Sequence, residues 1–258
     1  METIKEYYPA ERQQKIQELI EQVGRVSVYD LCQKFGVSEV TIRADLKVLA
    51  ERNLIVRTHG GAVLASQSPE ISLMIRSKQQ INEKSRIGVE AAKMVFDGDA
   101  IFLDTSSTAL AIAQHLKRHR ELTILTNSLA IAQAMLDAPG VTVVMPGGSM
   151  SRETVSLIGV DGLDSLRKFN IHKGFFGAHG INHPEGLTDV SSAEAEVKRY
   201  IVKLCREVIA VLDNSKWGRV GVASFARLEE IQTIITTQPI PPDIAKIVNE
   251  LGVDLILV

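Results

Sequence analysis

Apolar residues recur at helical spacing near the start of the chain and in short strand-like runs over most of the remainder. Ile16, Leu19, Ile20 and Val23 predict a helix over 11–22, which Gly24 ends. Leu31 and Phe35 lie four apart and predict a second helix over 28–35, stopping at Gly36. Ser38 stands as the N-cap of a third helix, on which Ile42, Leu46 and Leu49 form one apolar stripe. A β-type run at 54–58, the pair Gly60-Gly61 and then Ala62-Val63-Leu64 predict a small hairpin. Residues 65–80 are polar and are assigned to a linker.

Beyond the linker the pattern changes. Short apolar runs at 100–104, 122–126, 141–145, 174–177, 208–212, 233–236 and 254–258 are the expected strands. Helical segments at 109–116, 129–136 and 193–205 separate several of them. Such alternation predicts an α/β fold with a mainly parallel sheet. The expected organisation is a three-helix unit with a hairpin over 1–64, a linker over 65–80 and an α/β unit over 81–258.

Composition narrows the function classes. The 258 residues are 45% hydrophobic and 23% charged, which excludes a disordered or fibrous chain. No apolar run reaches the roughly 18 residues of a membrane span, and residues 1–12 hold no secretory signal. Cys32 and Cys205 are far apart and fit no metal or redox spacing, so a reduced, cytoplasmic protein is expected. The net charge of -2 argues against a chain that coats nucleic acid non-specifically. The first 65 residues carry nine basic and nine acidic side chains, so contact with nucleic acid would come from one local face.

The second and third helices, joined through Phe35-Gly36-Val37-Ser38, have the spacing of a helix-turn-helix. With Ile42, Leu46 and Leu49 inward, Val40, Ala44, Lys47 and Val48 point outward, flanked by Thr41 and Arg43. Arg43 and Lys47 can reach phosphates or guanine edges, and Thr41 a phosphate or a thymine methyl. The helix start near Ser38 favours a phosphate as well. Arg57 and His59 lie on the hairpin, which has the character of a wing. The same pattern also suits a helical dimerisation module, which would show no response to a ligand.

Four loops follow predicted strands: Asp104-Thr105-Ser106-Ser107-Thr108, Thr126-Asn127-Ser128, Pro146-Gly147-Gly148 and Asp213-Asn214-Ser215-Lys216. In an open parallel sheet the C-terminal strand ends are where ligands bind. Amides and Lys216 suit a phosphate, and Asp104 or Asp213 suits sugar hydroxyls. Neither dinucleotide nor P-loop glycine motifs occur, and no cofactor is expected.

The run Val37-Ser38-x-x-Thr41-Ile42-Arg43-x-Asp45-Leu46, followed by His59-Gly60-Gly61-Ala62, resembles the DeoR family of bacterial sugar-metabolism repressors. The resemblance continues through the four strand-end loops, Gly159, Gly186-Leu187-Thr188, Glu194 and Lys198, and covers nearly the whole chain. It implies a winged helix-turn-helix followed by a domain similar in fold to ribose-5-phosphate isomerase, which binds phosphorylated sugars or sugar alcohols as inducers. The DNA-facing residues expected from the helix pattern and the hairpin are Ser38, Val40, Thr41, Arg43, Ala44, Lys47, Arg57 and His59. The implied ligand contacts are Asp104, Ser106, Ser107, Thr108, Asn127, Gly147, Gly148, Glu194, Lys198, Asp213 and Lys216. Double-stranded operator DNA and a homodimer or homotetramer follow as expected partners, with no membrane.

Two positions depart from the family pattern. Ala44 stands where relatives usually have a second Arg, on the outward face of the third helix. His179, in Gly177-Ala178-His179-Gly180-Ile181, stands where many have Asp. The rival reading is a sugar-phosphate isomerase, but the residues 178–182 do not supply the acidic run of such enzymes. His115 with His119, and His179 with His183, have a four-residue spacing without the Glu of a zinc-binding helix, and no metal is expected.

Overall fold

A computed structural model of the protein describes residues 7–51, 55–58, 60–64, 73–151, 154–159 and 162–258. The chain divides into two compact units, residues 1–71 and 72–258.

The first unit contains α1 (Pro9–Val23), β1 (Arg25–Ser27), α2 (Val28–Phe35), α3 (Glu39–Glu51), β2 (Ile55–Thr58) and β3 (Gly61–Leu64). Ile16, Ile20, Leu31, Phe35, Ile42, Leu46, Leu49 and Ile55 bury together as its core. Gly36 takes the left-handed conformation, φ 63°, that lets the chain turn from α2 into α3. Ser38 then caps α3 by accepting from the Thr41 N–H at 3.2 Å. The expected two-stranded hairpin is a three-stranded antiparallel sheet in the order β1-β3-β2, because residues 25–27 add an edge strand.

The second unit opens with α4 (Leu73–Lys78) and α5 (Ile81–Ala92). Thereafter come β4 (Ala100–Leu103), α6 (Ser107–His115), β5 (Leu122–Leu125), α7 (Leu129–Ala134), β6 (Val141–Val144), β7 (Ser149–Ser151), β8 (Ser156–Ile158), β9 (Ile171–Phe176), β10 (Gly180–Asn182) and β11 (Gly186–Asp189). The chain ends with α8 (Ser192–Val202), β12 (Cys205–Leu212), β13 (Ala223–Ala226), β14 (Thr233–Thr236), α9 (Pro242–Glu250) and β15 (Asp254–Leu257). Seven strands form one parallel sheet in the order β15-β14-β12-β9-β4-β5-β6. Each of the seven apolar runs singled out in the sequence contributes one of them.

Both faces of this sheet are covered. Neighbouring residues Phe175 and Phe176 of β9 enter opposite cores, as the twofold strand period requires. Ile101, Leu103, Ile124, Phe175 and Val211 pack with residues of α5, α6 and α7, while Phe102, Leu125, Phe176 and Ala210 pack with residues of α8 and α9.

Three sequence expectations are corrected. The stretch 65–80 is not linker throughout: α4 lies within it with Leu73 buried, and residues 65–72 lie outside the described residues. Cys205, placed on a helix, begins β12, since α8 stops at Val202. The short segments 180–182, 186–189 and 223–226, which showed no strand pattern, form a separate antiparallel sheet, β10-β11-β13.

Candidate functional site

On α3, Val40 is 77% exposed, and Ser38, Arg43, Ala44 and Lys47 are also exposed. Thr41 and Val48 are half-buried, and the Thr41 hydroxyl lies 2.9 Å from that of Ser38. Arg43 pairs with Glu39 one turn earlier at 3.2 Å. Such an exposed pair is worth little, so Arg43 is readily released to another anion. Arg57 is exposed on β2, and His59 lies outside the described residues. What holds this face in position is a contact the sequence reading missed. Asp45 is buried and accepts from Arg12 Nε at 2.5 Å and from Gln13 Nε2 at 3.0 Å, tying α3 to α1.

In the α/β unit, strands β4, β5 and β6 run outward from β4 on one side, and β9, β12, β14 and β15 run outward on the other. The order therefore reverses between β4 and β9, where ligands of such sheets bind. Asp104 follows β4 at this point and is 1% exposed. Its carboxylate accepts from the Ser106 N–H at 3.0 Å and the Gly177 N–H at 2.9 Å, and it lies 2.9 Å from Lys198 Nζ. Gly177 follows β9, and a Cβ there would strike the Ser106 side chain, so only glycine allows the two loops to approach.

Lys198 reaches the same point from α8, donating to the Gly177 carbonyl at 2.9 Å and to Asp189 at 2.8 Å. Burial disfavours its charge, but Asp104, Asp189 and Glu194 more than offset this and raise its pKa. Burial likewise opposes the Asp189 charge, yet Lys198 holds that carboxyl below its ordinary range. Glu194 accepts from Thr105 at 3.4 Å and Ser156 at 3.2 Å. Asp104, Glu194 and Lys198 are therefore brought together and satisfied within the fold.

The remaining loops line the same strand-end edge. Ser106 caps α6 by accepting from the Ala109 N–H, and Ser107 and Thr108 are buried in its first turn. Asn127 is buried after β5 and donates to the Leu157 carbonyl at 2.9 Å. Gly147 and Gly148 are exposed after β6. Asp213, buried after β12, accepts from the Ser215 N–H at 3.0 Å and from the Ser215 hydroxyl.

Lys216 is half-buried, and its pKa is lowered by burial and further by Arg219 and Arg76, with Asp213 and Asp189 opposing. His179 faces the same charges: burial lowers its pKa, Lys216 lowers it further, and Asp189 opposes. Burial and the neighbouring cations Lys216, Arg219 and Arg76 thus both disfavour the charged imidazole at this position.

Sequence reasoning missed Arg76, Lys84 and Arg219. Lys84 is buried on α5 and donates to the carbonyls of Arg76 at 2.5 Å and Gln79 at 2.6 Å, which closes the end of α4. Arg12, Asp45, Lys84 and Lys198 share a signal that was available: each is a charge on the apolar stripe of its helix. Among the described residues no cluster of three or more metal-ligating side chains occurs, and His119 lies 3.0 Å from Asp97. No helix among them is long and apolar enough to cross a membrane.

The DeoR-like helix-turn-helix domain matches residues 12–68, and the DeoR C terminal sensor domain matches residues 79–238. The transcriptional regulator GolR of Listeria innocua is 35% identical, aligned over 95% of this chain and 97% of its own. The glycerol-3-phosphate regulon repressor of Escherichia coli is 33% identical over the same shares, and IolR of Bacillus subtilis is 32% identical over 93% and 95%. Among solved structures, ribose 5-phosphate isomerase A from Methanocaldococcus jannaschii aligns with 54% of this chain and 55% of its own, at 17% identity and a TM-score of 0.41. The relatives matched over nearly their full length are named as regulators, not as enzymes, and the isomerase reading is not favoured. Two family domains in the expected order, and relatives above 30% identity end to end, make the chain a member of the DeoR family, a DNA-binding transcriptional regulator with a winged helix-turn-helix and an α/β sensor unit.

Proposed function

We propose that this regulator is a cytoplasmic repressor of a sugar or sugar-alcohol catabolic operon, and that a phosphorylated sugar or sugar alcohol releases it from its operator. The observation that carries this reading is the position of Lys216 and the hydroxyl- and amide-rich loops at strand ends of one parallel sheet, on the two sides of its reversal point. A cation supplies charge for a phosphate, and the loops after β4, β5 and β6 supply N–H and hydroxyl groups for the remainder of the ligand. The outward face of α3, with exposed Arg43 and Lys47 and half-buried Thr41, supplies the complementary surface for a major groove.

Release then follows from differential affinity. The ligand favours an arrangement in which paired winged helices no longer match the operator half-sites. Two-fold operators call for at least a dimer, and a tetramer serves equally. A phosphorylated effector accumulates only after uptake and phosphorylation have begun, which makes it a faithful signal that the pathway is in use.

The test is capture of fragmented genomic DNA on the immobilised full chain, followed by elution with sugar phosphates and their unphosphorylated counterparts, one at a time. Selective elution by one phosphorylated compound is expected. Elution by the unphosphorylated form alone would overturn the effector class, and absence of capture at low salt would overturn the operator reading.

A further inference from the structure

One half-buried cation of the α/β unit has two buried nitrogens without an acceptor among the described residues. Nε and Nη2 of Arg76, on α4, are buried and have no hydrogen-bond partner among the described residues. These two nitrogens form a single edge of the guanidinium, the fork that grips two oxygens of a carboxylate or phosphate side by side. A buried guanidinium edge without an acceptor is destabilising, and such violations concentrate at functional positions. The backbone beneath it is fixed: α4 packs against α6, the helix that begins at Ser107, and Lys84 holds the Arg76 carbonyl from α5.

The surrounding charges define what this fork accepts. Lys216 and Arg219 act on the same region as Arg76, and the two nearby carboxylates are already engaged. Asp189 is held by Lys198 and the Val190 N–H, and Asp213 by Ser215. Arg76 and Lys216 bring two positive charges to the strand-end edge, which favours a dianion over a monoanion.

We propose that Arg76 is the anion-recognising residue of the effector site, its Nε–Nη2 edge and the Lys216 ammonium together taking the oxygens of a phosphate monoester dianion. The assignment rests on the reading of the α/β unit as a sugar-phosphate sensor and adds to it a ligand residue from α4, outside the four strand-end loops. It also ties the ligand to the first described helix after residues 65–72, the segment through which the chain leaves the DNA-binding unit.

The single tryptophan, Trp217, directly follows Lys216 and donates to Thr236 at 3.0 Å, so its emission reports on this corner. The full chain, wild type and with Arg76→Met or Arg76→Lys, is titrated with inorganic phosphate at constant ionic strength, following Trp217 emission and the thermal midpoint. The expected result is a saturable response in the wild type, at least tenfold weaker in R76M and intermediate in R76K. Without phosphate, R76M should unfold no lower than the wild type, and by about 2 °C higher if removal of the unpaired charge relieves the fold. A purely structural arginine would lower that midpoint, and this result would overturn the assignment. Equal phosphate affinity in R76M and wild type would overturn it too. In the DNA-capture assay, sugar phosphates that elute wild type and R76M alike would refute the role of Arg76 and leave the sensor reading intact. Elution of both by unphosphorylated sugar alone would overturn the sensor reading and the assignment with it.

Discussion

Lys198 Nζ lies 2.9 Å from Asp104 Oδ2, at the point where the order of the parallel sheet reverses. The lysine is buried and also holds Asp189, so one cation from α8 pairs with two carboxylates and joins the ends of β4 and β11. Removing it leaves both carboxylates buried without their partner. Lys198→Met should therefore destabilise the α/β unit by about 3–5 kcal/mol. The check is urea unfolding followed by Trp217 emission. In the double variant with Asp104→Asn the two losses should be clearly less than additive, because the second change removes a charge the first had stranded.

Lys84 gives the stability of the unit a pH dependence. Burial pushes its pKa down from 10.5 to about 8, with Lys216 and Arg76 lowering it and Asp213 and Glu83 opposing. The folded state then holds this proton less tightly than the unfolded chain does. The cost of charging Lys84 is fully present below about pH 8 and is relieved as pH rises from there towards 10.5. Relative to Lys84→Met, the wild type should gain about 2–3 kcal/mol between these limits. The difference between the two unfolding curves, measured from pH 7 to 10, isolates Lys84 from other groups titrating in that range.

The sheet was legible because strands buried on both faces read as apolar runs, and β9 with Phe175 and Phe176 is such a run. The helix-turn-helix was legible from Gly36, Ser38 and the stripe of Ile42, Leu46 and Leu49. By contrast, β10, β11 and β13 are three or four residues long and pair across as many as 39 positions, from Leu187 to Ala226, so no local pattern marks them. Arg76 escaped notice for another reason: a polar stretch conceals a short helix, and only tertiary burial gives its arginine meaning. Asp104 was singled out in the sequence as a ligand contact, but its three engaged donors are visible only once β9 and α8 are folded beside β4.

A second buried ion pair governs the other unit. Arg12 and Asp45 lie 33 positions apart and join α1 to α3 beneath the exposed face of that helix. Asp45→Asn should cost the N-terminal unit about 3–5 kcal/mol, since Arg12 remains buried opposite a neutral amide. Loss of DNA capture at every salt concentration is expected, because the defect lies in the helix orientation and not in a phosphate contact. Trp217 belongs to the other unit, so its emission during unfolding reports separately on whether the sensor still folds.

Salt dependence tests the outward face of α3 directly. Each phosphate contact made by a cation adds about 1 to the slope of log affinity against log salt. Lys47→Ala should lower that slope by about 1, and Ala44→Arg, which restores the cation usual in relatives at an exposed position, should raise it by about the same amount. An arginine at 44 also gains access to guanine edges, so the population of genomic fragments captured by A44R should differ from that captured by the wild type. Sequencing the two captured pools, with affinity measured at several salt concentrations on one shared fragment, separates the effects. A44R with the wild-type slope and the wild-type pool would mean that this side of α3 does not face the duplex.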